Sequence, residues 1–192
     1  MTKMINGVDV DRLVATIDAI KADANVANFQ FRVANRWSGG GANRSKIEGF
    51  HGANQEIRHA QTFDIGNDET PVLLSNDGAP NPVEHVLSAL AGCLTTSMIY
   101  HAAARGIAVK GVSTRLEGDL DLRGFLGMSD KTRRGFRTVR VAFDIDGDLT
   151  AAQKTELIEL AQKYSPVFDI VSNGVPVECR VEGAVAKKAS AA

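Results

Sequence analysis

The sequence predicts an α+β protein organised around one long, buried helix. Three observations carry this. Residues Pro82 to Arg105 form one unbroken helical stretch with a start and a stop signal. Segments that alternate apolar and polar residues lie on both sides of it, three before and three after. The composition is that of a globular chain, with 44% hydrophobic and 23% charged residues and a formal net charge of −1.

The central helix is the best-defined element. Asn81 is a good N-cap, Pro82 occupies the first helical position, and Glu84 follows three residues after the cap, as in a capping box. Arg105 and Gly106 mark its end. Its middle, Leu87-Ser88-Ala89-Leu90-Ala91-Gly92-Cys93-Leu94, carries no charge on any side, which predicts burial on every side. Gly92 costs about 1 kcal/mol of helix propensity against alanine, so close packing is expected at that point. One sheet cannot cover such a helix. A second copy of the chain around the same helix, and hence a homodimer, is expected.

Before this helix, Asp9 to Ala24 reads as an amphipathic helix with Val10, Leu13, Val14, Ile17 and Ile20 on one face. Strands are expected at Phe29 to Trp37, near Ser45 to Phe50 and near Glu56 to Ile65. Gly66 to Pro80 should be a loop. After the helix, strands are expected at Val109 to Leu122 and Phe136 to Ile145, joined by Gly124 to Gly135. Thr150 and Gln153 suggest a capping box that opens a helix to about Tyr164. Pro166 interrupts it, and a short helix or turn runs on to Ser172. Asn173-Gly174 is a turn, and Val175 to Val181 a last strand. The expected organisation is an N-terminal helical extension (1–27), a main domain (28–183) and a flexible tail (184–192).

The charge balance excludes an electrostatic nucleic-acid binder, because both signs are spread along the chain. The one basic cluster, Arg133-Arg134 with Arg137 and Arg140, reads as the solvated start of a strand. The most apolar stretch, Val86 to Ala104, contains several hydroxyls and His101, and reads as a buried helix rather than a membrane span. No membrane partner is expected. With no signal peptide and two cysteines, Cys93 and Cys179, a cytoplasmic, thiol-reducing location follows. His51, His59, His85 and His101 lack metal-ligand spacing, so neither a metal nor a cofactor is expected.

Cys93 is the strongest candidate for chemistry. A buried thiol packs as a small hydrophobe. It becomes a nucleophile only where a neighbouring cation stabilises the thiolate. The sequence alone leaves both readings open.

The run Asn81-Pro82-Val83-Glu84-His85 through Ala91-Gly92-Cys93 resembles the signature of the OsmC/organic hydroperoxide resistance family. Lys163-Tyr164-Ser165-Pro166-Val167 resembles that family's second motif, and the order of elements agrees over roughly Phe29 to Val181. The resemblance implies an OsmC-like fold: two three-stranded β segments around a long central helix, in an intertwined homodimer with sites at the subunit interface. It implies thiol peroxidase chemistry at Cys93 on a small hydrophobic or peroxide substrate, with arginine and glutamate assisting. Arg36, Arg44 and Arg58 are the arginines available. Glu84 is the candidate catalytic glutamate, with capping as its alternative role; it lies one place from the family's position, which aligns with Val83. It also lies nine residues before Cys93, on the opposite side of the helix. Ser165 stands at the resolving-cysteine position and cannot form a disulfide, so an external thiol reductant is implied. The alternative is a binding protein for a small apolar ligand, with Cys93 as a pocket residue.

Overall fold

The computed structural model describes residues 2–182; the expected tail, 184–192, lies outside them. An unforeseen hairpin comes first, β1 (Met4–Ile5) and β2 (Val8–Asp9). Asn6 and Gly7, both at positive φ (52° and 76°), form the two-residue turn that such hairpins favour. Helix α1 (Val10–Ala22) follows, capped by Asp9, whose carboxylate accepts the Arg12 N–H. The Asn6 amide pins this extension to the body. It donates to the Ile107 carbonyl at 2.9 Å and accepts from the Val109 N–H at 2.8 Å.

The N-terminal sheet comprises β3 (Gln30–Phe31), β4 (Ala34–Gly39), β5 (Ala42–Gly52) and β6 (Gln55–Asn67). β3 and β4 lie in succession along one side of β5, and β6 lies along the other. The expected first strand is thus broken in two, at Arg32 and Val33. β5 and β6 are longer than expected because a register shift between Ile47 and Gly49 bends the pair without ending it.

Helix α2 (Pro82–Ala104) is built as its cap signals dictate, with both halves of the capping box formed. Its C-terminal end leads into the antiparallel pair β7 (Gly111–Asp119) and β8 (Thr138–Asp146). The short helix α3 (Leu122–Phe125) lies in their connection. Helices α4 (Ala151–Tyr164) and α5 (Pro166–Asn173) complete the described elements. Val175 to Val181 forms no strand, contrary to expectation, so the C-terminal segment has two strands rather than three. The alternation is real, with Val175, Val177 and Val181 all exposed. A strand also needs a neighbour for its backbone groups, and among the described residues that segment has none.

The core is one-sided. Leu90, Leu94, Met98 and Ala102, spaced four apart on α2, pack with Ile145 of β8 and Leu157 and Ala161 of α4. Val112 and Leu116 of β7 and Val167 and Phe168 of α5 close around them. No residue of the N-terminal sheet joins this core. Among the described residues, the other side of α2 is bare: Ser88, Ala89, Gly92 and Thr96 are exposed, as are Val86 and Tyr100. The all-round burial and the close contact at Gly92 are therefore not met within one chain. A Cβ built on Gly92 meets nothing within 4 Å.

The N-terminal sheet is bare too. Phe29, Phe31, Phe50, His59 and Phe63 form a continuous aromatic ladder with ring centroids 5.0 to 6.0 Å apart. Phe31 in this ladder is 75% exposed. In total the chain exposes 14184 Å². A compact monomer of its mass exposes about 8,900 Å². The residues outside the described ones add at most about 1,700 Å², even fully extended.

Candidate functional site

The site is built on α2. Cys93 is half-buried and unpaired. Val86, Cys93 and Tyr100 recur every seven residues and so fall within about 40° of one another on the helix. That line runs along the margin between the packed side and the bare side. Cys93 thus borders the uncharged surface that the described residues leave open.

The N-terminus of α2 is fixed from several directions. Asn81 Oδ1 accepts the Val83 and Glu84 N–H groups, and Glu84 Oε2 accepts the Asn81 N–H at 2.8 Å. His85 Nε2 lies 3.0 Å from the Gly66 carbonyl at the end of β6. The loop before the helix is ordered by Asp68, a buried carboxylate that accepts from the Ser75 hydroxyl, the Gly78 N–H at 2.9 Å and the Glu69 N–H at 2.8 Å. These donors, the Ser75 hydroxyl first, hold Asp68 below the usual carboxylate range. Asp68 carried no sequence signal, because only the folded loop brings its donors together.

Glu84 is engaged in the cap. Nine residues of rise, about 13 Å and two and a half turns, separate it from Cys93. The structure does not bring the two together. Ser165 is buried at the α4–α5 junction. Its hydroxyl accepts the Phe168 N–H at 3.1 Å and so caps α5, with Pro166 at the first helical position. Beside it, Tyr164 stacks on His101 of α2 at 4.1 Å between centroids. Burial, and then the Arg105 guanidinium, push the His101 pKa below its ordinary value.

No described side chain hydrogen-bonds the Cys93 sulfur. Arg44 donates to Asp64 at 3.0 Å. Arg36 stands opposite Arg44 in the sheet. Arg58 lines a cavity with Arg32, Glu48 and Glu56. None of the three arginines is supplied to Cys93 within one chain. Cys179 is exposed and likewise unpaired. No group of three or more His, Cys, Asp or Glu side chains forms a metal-binding cluster among the described residues.

These features define a class: an α+β protein with a single half-buried thiol on a long, one-sided central helix. The OsmC-like protein family model matches residues 75–180, more than half of the chain, and the chain belongs to that family. A comparison with curated proteins gave no match. Among solved structures, the chain is similar to an OsmC-like protein from Mycoplasma pneumoniae, with a TM-score of 0.58 and 15% identity over 75% of this chain and 88% of the other. It is similar to an OsmC-like protein of unknown function from Vibrio cholerae, with a TM-score of 0.56 and 15% identity over 74% and 94% of the two chains. A third similar structure is an organic hydroperoxide resistance protein OsmC from Legionella pneumophila, with a TM-score of 0.51 and 17% identity over 75% and 91%. At these identities the likeness is one of fold. The extension before residue 28 precedes the matched family region.

Proposed function

We propose that the protein is a homodimeric thiol peroxidase that reduces organic hydroperoxides through Cys93, in a cytoplasmic, oxidative-stress role. The observation that carries this reading is the half-buried Cys93 at the margin of an uncovered apolar helix face. The second copy would lay its aromatic sheet and its own α2 against that face, closing a pocket around the sulfur. The excess exposed surface supports this. It exceeds about 3,000 Å² per chain even after the allowance for the undescribed residues, or about 6,000 Å² for two copies, at the upper end of the scale of obligate dimers. A position near a sulfur in such a pocket is also open to an arginine from the partner.

In the reaction, the Cys93 thiolate attacks the distal peroxide oxygen. The O–O bond breaks, a sulfenic acid forms, and the alkoxide leaves and takes up a proton as the alcohol. With Ser165 at the resolving position, an external thiol attacks the sulfenic sulfur and releases water. A second external thiol then frees Cys93 and leaves as a disulfide. An apolar pocket favours organic hydroperoxides over hydrogen peroxide.

Consumption of cumene hydroperoxide in the presence of a dithiol tests this. Wild type should turn over and Cys93→Ser should not; equal background rates for both would end the reading. One observation favours a second reading, a binding protein for a small apolar ligand: among the described residues no cation hydrogen-bonds Cys93. Native mass spectrometry showing a co-purified apolar ligand on a peroxide-inert dimer would select it.

A further inference from the structure

We propose that the polar face of the N-terminal sheet carries a binding site for a small phosphate-bearing molecule, formed by Arg36, Arg44 and Lys46. The register of β4 and β5 sets Arg36 directly opposite Arg44. Like charges directly opposed across a ladder destabilise it. Lys46 follows two residues after Arg44 and so points to the same face. Asp64 is the carboxylate that pairs with Arg44. It is opposite Lys46 in β6 and accepts from Arg44 Nε at 3.0 Å. Neither Arg36 nor Lys46 has a carboxylate partner among the described residues. Of these three cations, only Arg44 has a carboxylate partner among the described residues.

They also line a cavity of about 520 Å³, together with Ala34, Asn35, Trp37 and Ser38. That volume suits a small organic ligand. Guanidinium groups bind phosphate oxygens in bidentate fashion, and a ligand with two or more negative charges would cancel the cross-strand repulsion. A single carboxylate would leave a net positive charge.

This face is not the one expected to meet the partner subunit. Asn35, Asn43 and Ser45 point to the opposite face, where their side chains bond one another at 2.7 and 2.9 Å. Ile47 and Phe63, paired in register, share that opposite face with the aromatic ladder. The Arg36, Arg44 and Lys46 side chains thus lie on the sheet face away from the aromatic ladder.

Isothermal titration calorimetry reads occupancy. The full-length protein is titrated with inorganic pyrophosphate, ATP and adenosine. Pyrophosphate and ATP should each give a saturable change that weakens with added salt, and adenosine none. Arg36→Gln and Lys46→Gln should each weaken pyrophosphate binding by about tenfold or more. Without ligand, Arg36→Gln should melt no lower than wild type, since it removes a like-charge pair. The proposal is overturned if neither phosphate compound gives a saturable change, or if both variants bind as wild type does. A single-stranded oligonucleotide binding more tightly than either would overturn it in favour of a nucleic-acid surface.

Discussion

The Ser165 hydroxyl accepts the Phe168 N–H at 3.1 Å, so the residue at the expected resolving position is a helix cap. The cap explains how the second motif persists without its thiol. Removing it in Ser165→Ala should cost about 1 kcal/mol, the usual worth of an N-cap. Urea unfolding measures this, and peroxide turnover by Ser165→Ala should stay at the wild-type level, because the resolving thiol comes from outside.

Glu84 distinguishes capping from catalysis. Glutamine at the same position keeps the reciprocal bond to the Asn81 N–H. Glu84→Gln should therefore retain both stability and hydroperoxide turnover, whereas a catalytic carboxylate would lose turnover while the melting temperature held.

Gly92 reports on the dimer. Within one chain a Cβ added there meets nothing within 4 Å. In a monomer, Gly92→Leu would stabilise the helix by up to about 1 kcal/mol. In the proposed dimer it should instead shift the equilibrium toward monomer, seen by sedimentation velocity, with the circular dichroism of the protomer kept.

His101 gives the pH dependence. Its folded pKa lies below the ordinary 6.5, so the unfolded state binds its proton first as pH falls. The contribution is full above 6.5 and is lost as pH drops toward the folded pKa. Stability should decline on mild acidification, and His101→Phe, which keeps an aromatic ring against Tyr164, should flatten that decline. Guanidinium melts across this window test it.

Much of this was legible in the sequence. Helix α2 was, because Asn81, Pro82, Glu84 and Gly106 state its ends locally. Cys93 stands out in the sequence because the motif surrounds it. The β1–β2 hairpin has its signal in Asn6-Gly7, the residue pair that two-residue hairpin turns favour. Val175 to Val181 misled because alternation shows that a segment can be a strand, not that a neighbour exists. The bare side of α2 was anticipated only as a need for a second copy. The Arg36–Arg44 opposition was not legible, since it depends on register and on a turn at Gly39 to Gly41 that the sequence does not number.

The two cysteines offer the most direct test, since the exposed Cys179 is an internal control for Cys93. Stoichiometric cumene hydroperoxide is added to the reduced protein, and sulfenic acid at each cysteine is trapped and followed over time by mass spectrometry. Oxidation of Cys93 well ahead of Cys179 is the predicted result. Equal rates, or faster oxidation of the exposed Cys179, would contradict the assignment of Cys93 as the peroxidatic thiol.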